Sequence, residues 1–440
     1  MKIGMLIITF LLLEATTLAQ GLRAGYAKTD ITPTEPVRMG GYDLRDAPSD
    51  GIHGNDRLFA RALVFEQAGT RVAFVEADII LIGNHDMWRA KISAATGIPA
   101  ANILLGDVHN HAAPSGNPKN DSPWLGQFEN GLVSACRKAN SELQPVRIAA
   151  GAGHSRIATN RRKVVQKDSE SDLTFDENFR SQSFGKSKTD QPVRIKELEG
   201  VVRLGANPSG PIDDLLQVVR IDTSGGKPFA VMIHYACHGT SLGGRNSKIS
   251  GEWMGRMQEH VEKQFPAVGS IYLQGAAGDI NPRVVGGLDG YQDDIRTTWS
   301  LGDEIGSEVA RVYQALSPVP ADDARIQMES KDILLPRRYS ELFVDFTNTT
   351  ITVPTTAVRI GDLMWITFPG EMFHAIGKQV RASAPATYAH VMGYTNGYIG
   401  YFPERKAYAE GGYEVATTHL DPAAEQIYLR EIFDLMKRFR

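Results

Sequence analysis

A chain of 440 residues, 42% hydrophobic and 22% charged, has ordinary globular composition and is long enough for a large core in one or two domains. Its formal net charge of −4 excludes the basic excess of a nucleic-acid binder, and no block of like charge marks an interaction tail. Two cysteines, Cys136 and Cys237, are too few for a disulfide scaffold; whether they pair is left open.

Met1-Lys2, the apolar run Ile3 to Leu13 and Thr16-Thr17-Leu18-Ala19-Gln20 read as a signal peptide over residues 1–20. The protein is therefore expected to be exported, to the periplasm or beyond. The apolar part is short for a membrane span. The remainder, 21–440, is expected to be one large domain. Gly25 to Asp30 begins as a strand and ends at the turn of Thr32-Pro33, and Arg38 to Tyr42 is a glycine-rich loop. Arg61–Glu66 and Val72–Asp78 form a strand pair about Gly69. A helix is expected over Met87–Ala95, then a buried strand, Ile103-Leu104-Leu105. Leu132, Ala135, Cys136 and Ala139 share one stripe of a helix over Phe128–Leu143. Val146–Ala150 is a strand, and the polar stretch 160–205 reads as a long surface insertion.

Leu216–Ile221 and Pro228–Tyr235 flank Ser224-Gly225-Gly226, a hairpin signal. Helices follow over Glu252–Phe265, Leu301–Leu316, Phe373–Ala382 and Ala423–Phe439. Strands are expected over Ser270–Leu273, Ala324–Leu335 and His390–Tyr394, with a hairpin about Gly361-Asp362 inside Ala357–Phe368. Strands and helices mix without repeats, which predicts an α/β or α+β domain with a mixed sheet flanked by helices.

Four strand ends open into polar or glycine-rich loops: Gly106-Asp107-Val108-His109-Asn110-His111, Tyr235 to Ser241, Phe368-Pro369-Gly370-Glu371, and Asn396 to Tyr401. In extended chain His109 and His111 would point to the same side, roughly 6–7 Å apart. Such a pair suits metal binding or proton transfer; equally, it is two incidental histidines in a solvated loop. With Glu371 and a tyrosine the four segments offer a two-histidine, one-glutamate set of the kind that holds catalytic zinc. Asp107 reads as a turn residue or as an orienting partner of a ligand histidine. Gly83-Asn84-His85-Asp86 matches one element of the metallophosphoesterases but stands in the wrong order relative to Asp107-Val108-His109. Gly239-Thr240-Ser241-Leu242-Gly243 fits a nucleophile elbow, but loop rather than helix follows it. Gly393 to Gly400 lacks the spacing of a nucleotide cradle.

Nine motifs in order resemble the catalytic domain of the neutral/alkaline non-lysosomal ceramidases. They are Gly25 to Pro33 with Gly40-Gly41-Tyr42 beyond it, His109-Asn110-His111, Asn160-Arg161, His238-Gly239-Thr240-Ser241, Ser250-Gly251-Glu252, Gly278-Asp279-Ile280-Asn281-Pro282, Pro369-Gly370-Glu371, and the spaced Tyr401, Tyr408 and Tyr413-Glu414. The resemblance implies a zinc ion (Zn2+) held by His109, His238, Glu371 and Tyr401. It implies His111 as acid/base group, Tyr413 as donor to a developing oxyanion, and Arg161 as a further polar group of the site. Asn281 stands where the family has serine, Ala112 to Gly116 replaces a glycine-rich loop, and Cys237 stands where valine is usual. The sequence ends about 27 residues after Tyr413, so no C-terminal immunoglobulin-like domain is expected.

The activity implied is zinc-dependent hydrolysis of an N-acyl amide, with ceramide or a related sphingolipid as first substrate. An esterase or deacylase acting on a carbohydrate or other small acylated compound, and a non-catalytic member of the fold, are the alternatives. The expected partners are a small-molecule or lipid substrate and no nucleic acid. A lipid substrate leaves room for transient contact with a membrane surface.

Overall fold

The computed structural model describes residues 21–42, 45, 47–120, 122–164, 202–285, 294–321, 324–338 and 348–439. The expected signal peptide and most of the polar stretch between 160 and 205 lie outside these residues.

Strands alternate two faces, so a strand that is apolar on both needs cover on both. Strand β2 (Phe59–Gln67) is such a strand, buried from Ala60 to Glu66. It lies in a nine-stranded sheet with β1 (Arg23–Asp30), β3 (Thr70–Ala77), β4 (Ile103–Asp107), β5 (Gln144–His154), β8 (Leu215–Thr223), β9 (Pro228–Tyr235) and β10 (Gly269–Gln274), in the order β10-β9-β8-β5-β1-β2-β3-β4. The short β12 (Val319–Pro320) pairs with β5. Strands β6 (Ala158–Val164), β7 (Val202–Asn207) and β11 (Ile280–Pro282) form a small sheet beside it. The remaining large sheet runs β13 (Ile326–Pro336), β14 (Thr350–Ile360), β15 (Leu363–Thr367), β17 (Tyr388–Met392). Two-residue strands β16 (Glu371–Met372) and β18 (Tyr401–Phe402) pair with each other.

The mixed α/β architecture flanked by helices is as expected, and its strands form two large sheets packed face to face. One core joins Phe65, Phe74, Leu104, Ile221, Met232 and Leu273 of the first sheet to Val358, Ile360, Trp365 and Met392 of the second. Helices α1 (His85–Thr96) and α2 (Leu125–Ser141) cover the outer face of the first sheet near β2–β4. Helices α3 (Glu252–Gln264) and α4 (Ile295–Ala315) cover it near β8–β10. Helix α5 (His374–Ser383) and the C-terminal helix Ala424–Met436 cover the second sheet. The layers are therefore helix, sheet, sheet, helix. The sequence pattern of a strand buried on both faces does not say whether a helix or a second sheet provides the cover.

Most elements fall within a few residues of expectation. Helix α4 begins at Ile295, earlier than expected, because Asp294 caps it by accepting from Arg296 N. Residues 160–164 and 202–207, expected as irregular surface chain, are strands β6 and β7. The Gly83-Asn84-His85-Asp86 element is a helix start, with the Asn84 side chain accepting from Met87 N and Gly97 at φ 72° closing the far end. Cys136 and Cys237 are both buried and free. Among the described residues no helix is long and apolar enough to cross a membrane.

Candidate metal centre

The strand β4 ends at Asp107, a buried carboxylate whose Oδ1 accepts from His109 N at 3.2 Å and whose Oδ2 accepts from Ile82 N at 3.1 Å. Asp107 is therefore chiefly a turn residue. It sits 3.8 Å from His109 Nδ1, but that nitrogen bonds Ile80 O at 2.9 Å. Burial pushes the Asp107 carboxyl up to about 6. His109 then takes φ 56°, the left-handed region. The chain is thus not extended across His109-Asn110-His111, contrary to the simple strand picture. The turn brings the two imidazoles to a centroid distance of 4.9 Å. Asn110 ties the turn to the neighbouring His238 segment, with His111 N donating to Gly239 O at 2.9 Å.

His238 follows β9. The loop after β10 wraps its ring, so that His238 Nδ1 lies 2.7 Å from Ala277 O and 3.0 Å from Ile280 O. His111 Nδ1 lies 3.1 Å from Gly41 O. A carbonyl only accepts, so the Nδ1 of each ring carries a proton and Nε2 is the nitrogen turned inward. Ring nitrogens of His109, His111 and His238 all fall within 4.8 Å of one another. Burial first, and then the neighbouring positive groups, pull His111 well below the usual histidine range and His238 down to about 4. Both rings are neutral at pH 7, as metal ligation requires.

Glu371, in β16, completes the centre. Its Oε2 lies 2.9 Å from His238 Nε2 and 3.6 Å from His109 Nε2. Burial opposes its charge, yet His109, His238 and Arg161 hold the carboxyl down at about 2. The buried Nε2 of His111 has no hydrogen-bond partner. The donor set of three inward nitrogens and a carboxylate fits a divalent metal such as zinc.

Tyr401 pairs in register with Glu371 across β16 and β18. Burial pushes its phenol well above the usual range, so it is neutral unless a metal draws the proton off. Tyr413 packs edge-on against Tyr401 at 5.5 Å. Arg161 covers the Tyr401 ring at 5.2 Å and places Nη1 3.1 Å from His238 Nε2 and 3.5 Å from Asn281 Oδ1. Thr240 Oγ1 donates to the same Asn281 oxygen at 3.3 Å. The fold therefore brings His109, His111, His238, Glu371, Tyr401, Tyr413, Arg161 and Asn281 to one place.

Sequence reasoning missed the supports of these groups. Glu414, buried in the short helix Tyr413–Thr417, accepts from Arg161 Nε at 2.7 Å and Arg162 Nη1 at 2.9 Å. The two consecutive arginines reach one carboxylate where the β6–β7 register shifts between Asn160 and Arg162. Tyr394 stacks on His109 at 4.3 Å, and Tyr398 donates to Glu371 Oε1 at 2.5 Å. Asp279 accepts from His374 N and Nδ1 at 2.9 and 2.6 Å and so fixes α5 to the loop around His238. Glu414 stood beside Tyr413 in a noted motif, and Tyr398 lay inside a noted segment; neither carried a spacing that gave it a role. Ser241, in the Gly-x-Ser-x-Gly match, is buried and bonded to Glu252 rather than poised as a nucleophile.

The fold and centre define a four-layer α/β protein with a buried three-histidine, one-carboxylate cluster. No family model matches the chain. It is 26% identical over 352 residues to neutral ceramidase A of Dictyostelium discoideum, covering 74% of this chain and 44% of that one. It is 25% identical over 363 residues to neutral ceramidase B of the same organism, covering 74% of this chain and 46% of the relative. The chain thus spans less than half the length of these curated relatives. The crystal structure of neutral ceramidase from Pseudomonas aeruginosa superposes with a TM-score of 0.71 at 20% identity, over 95% of this chain and 74% of that one. A ceramidase complexed with C2 gives 0.72 at 19%, over 96% and 75%. In sequence and in fold, the chain resembles the neutral ceramidases.

Proposed function

We propose that this protein is a zinc-dependent hydrolase that cleaves an N-acyl amide bond, with ceramide or a related N-acyl sphingolipid as substrate. The observation that carries the reading is the convergence of three imidazoles, each with Nδ1 held by a backbone carbonyl, upon the ionised Glu371. Similarity to neutral ceramidases supplies the bond and the substrate class. His109, His238, Glu371 and Tyr401 would hold the metal. When bound, zinc lowers the pKa of a coordinated water and polarises a carbonyl.

The chain's own groups supply the rest. Burial keeps His111 neutral, so Nε2 is free to take a proton and return it to the leaving amine. Tyr413 offers a phenol O–H to the carbonyl oxygen as negative charge develops on it. Removing one such donor in other enzymes costs about 3 kcal/mol. Arg161, anchored by Glu414, adds fixed positive charge next to Asn281.

The clustering of all three imidazole donors within 4.8 Å favours a second reading, in which His111 is a ligand rather than the proton carrier. Purified protein should hold one zinc per chain and release fatty acid from ceramide faster than acetate from acetylated sugars. Absence of stoichiometric zinc, with undiminished N-acyl hydrolysis by His109→Ala, would sink the proposal. Faster turnover of the sugar esters would move the activity to carbohydrate deacylation.

A further inference from the structure

The two oxygens of Glu371 have different surroundings. Oε2 faces His238 Nε2 at 2.9 Å and His109 Nε2 at 3.6 Å. Oε1 accepts the phenol O–H of Tyr398 at 2.5 Å. The Tyr398 ring lies nearly parallel to that of His109, 6.4 Å away with 22° between the planes. Tyr394 stacks more closely on His109, and its hydroxyl is 3.5 Å from Oε2.

The loop that delivers Tyr398 is fixed at both ends to segments that carry proposed ligands. Asn396 bonds twice to Leu105 in β4, its N donating to Leu105 O and its Oδ1 accepting from Leu105 N, each at 2.9 Å. Ile399 N donates to Pro369 O at 2.8 Å, two residues before Glu371. Tyr394 and Asn396 take φ 54° and 61° to make this path. Non-glycine residues adopt that region at a cost, and they hold it only where the surroundings enforce it. The loop thus spans from the strand before His109 to the turn before Glu371 and sets Tyr398 between them.

We infer that Tyr398 is a positioning residue for the metal centre: its O–H occupies Oε1 of Glu371, so that the carboxylate offers Oε2 alone toward the histidines. A free carboxylate can chelate with both oxygens. Engaging one of them fixes the side chain's rotation, leaves the other as a single ligand and preserves an open coordination position for substrate. This role rests on the metal reading above and adds to it a residue outside the ligand set.

The test is Tyr398→Phe, which keeps the ring and removes the O–H. Zinc affinity is measured by competition with a chromogenic chelator, and the coordination number by the visible absorption of the cobalt(II) protein. The expected result is a zinc Kd raised about 10- to 100-fold, with weaker cobalt absorption as the carboxylate turns to bind through both oxygens, and an unchanged far-UV circular dichroism spectrum. In a Glu371→Gln background the same substitution should change the Kd by less than about twofold, because the hydroxyl acts through that carboxylate. Unchanged zinc affinity and cobalt spectrum in Tyr398→Phe, with wild type binding zinc, overturn this role and leave the metal reading standing. An equal loss of affinity in both backgrounds also overturns it, since the effect then bypasses Glu371. Failure of wild type to bind zinc or cobalt overturns the metal reading and this role together.

Discussion

Glu414→Gln removes the charge that serves two buried guanidinium groups. Glu414 is 1% exposed, and Arg161 and Arg162 are 4% and 6% exposed. Breaking a buried ion pair by removing one partner costs about 3–5 kcal/mol, because the other charge is left without compensation. For a long chain, at roughly 2 °C per kcal/mol, the thermal midpoint should fall about 6–10 °C. Arg162 keeps Glu410 at 3.1 Å and the carbonyl of Gly411 at 2.9 Å. The loss therefore falls mainly on Arg161, whose Nε keeps at most a neutral amide oxygen in place of the carboxylate while Nη1 remains near His238. A displacement of about 1 Å at a catalytic centre costs on the order of 100-fold in rate, so kcat/KM should drop about that much. The control is Glu410→Gln, at a residue that hydrogen-bonds Arg162 from a side chain 41% exposed. It should cost at most about 1 kcal/mol and leave turnover unchanged. Scanning calorimetry and initial-rate assays on both variants decide the matter. Equal midpoints for the two, with wild-type turnover in Glu414→Gln, would show that the buried cluster neither holds Arg161 nor supports the fold.

His109→Ala should lose zinc, whereas His111→Ala should keep it and lose turnover; loss of zinc from both, read by atomic absorption, would make His111 a ligand. Gly278 is packed so tightly that a Cβ there would sit 2.4 Å from Glu371 O, a backbone atom. Gly278→Ala should therefore cost at least about 1–3 kcal/mol and lower zinc occupancy; native stability and occupancy would refute the packing argument. Away from the centre, burial brings His234 down to about 4 and His390 well below the usual range. The unfolded chain titrates near ~6.5, so below that pH it binds more protons than the folded one. The stability these rings carry is complete above ~6.5 and is lost as pH falls toward 4. For His234 alone the loss is about 2 kcal/mol by pH 5. Urea titrations at pH 7 and pH 5 should show a smaller loss for His234→Gln than for wild type; an equal or larger loss would contradict the assignment.

The ligand candidates were legible because each stands at a strand end in a short motif, and motif order does not depend on packing. What surrounds them was not. The left-handed turn at His109 comes from Asp107 capping the backbone and from the His111 bond to Gly239, a contact between segments about 130 residues apart. The role of Glu414 depends on the β6–β7 register shift, and no periodicity in Asn160-Arg161-Arg162 announces it. The second large sheet stayed hidden for a similar reason: β14 and β15 read as a hairpin, but alternation within a hairpin does not name the layer it packs on.

The position of the centre follows from a feature that neither sheet has alone. Both are mostly antiparallel, yet β3–β4, β9–β10 and β15–β17 are parallel pairs. Adjacent parallel strands end at the same edge, and that edge is where α/β folds gather ligand-binding loops. Here β4, β9, β15 and β17 lead at their carboxyl ends to His109, His238, Glu371 and Tyr394. The edges of the two sheets are joined there by main-chain bonds, with Gly393 N donating to Gln274 O at 3.0 Å and Asn396 N to Leu105 O at 2.9 Å. Gln274, at the end of β10, donates to Val108 O at 3.0 Å and Cys237 O at 2.8 Å, gripping the residues that precede the proposed ligands His109 and His238. A centre assembled from both sheets in this way needs each layer in place before its geometry exists. Affinity for the proposed metal should therefore report how the sheets meet, and distant substitutions in the shared core, at Phe74 or Trp365 for example, should register there before they unfold the chain.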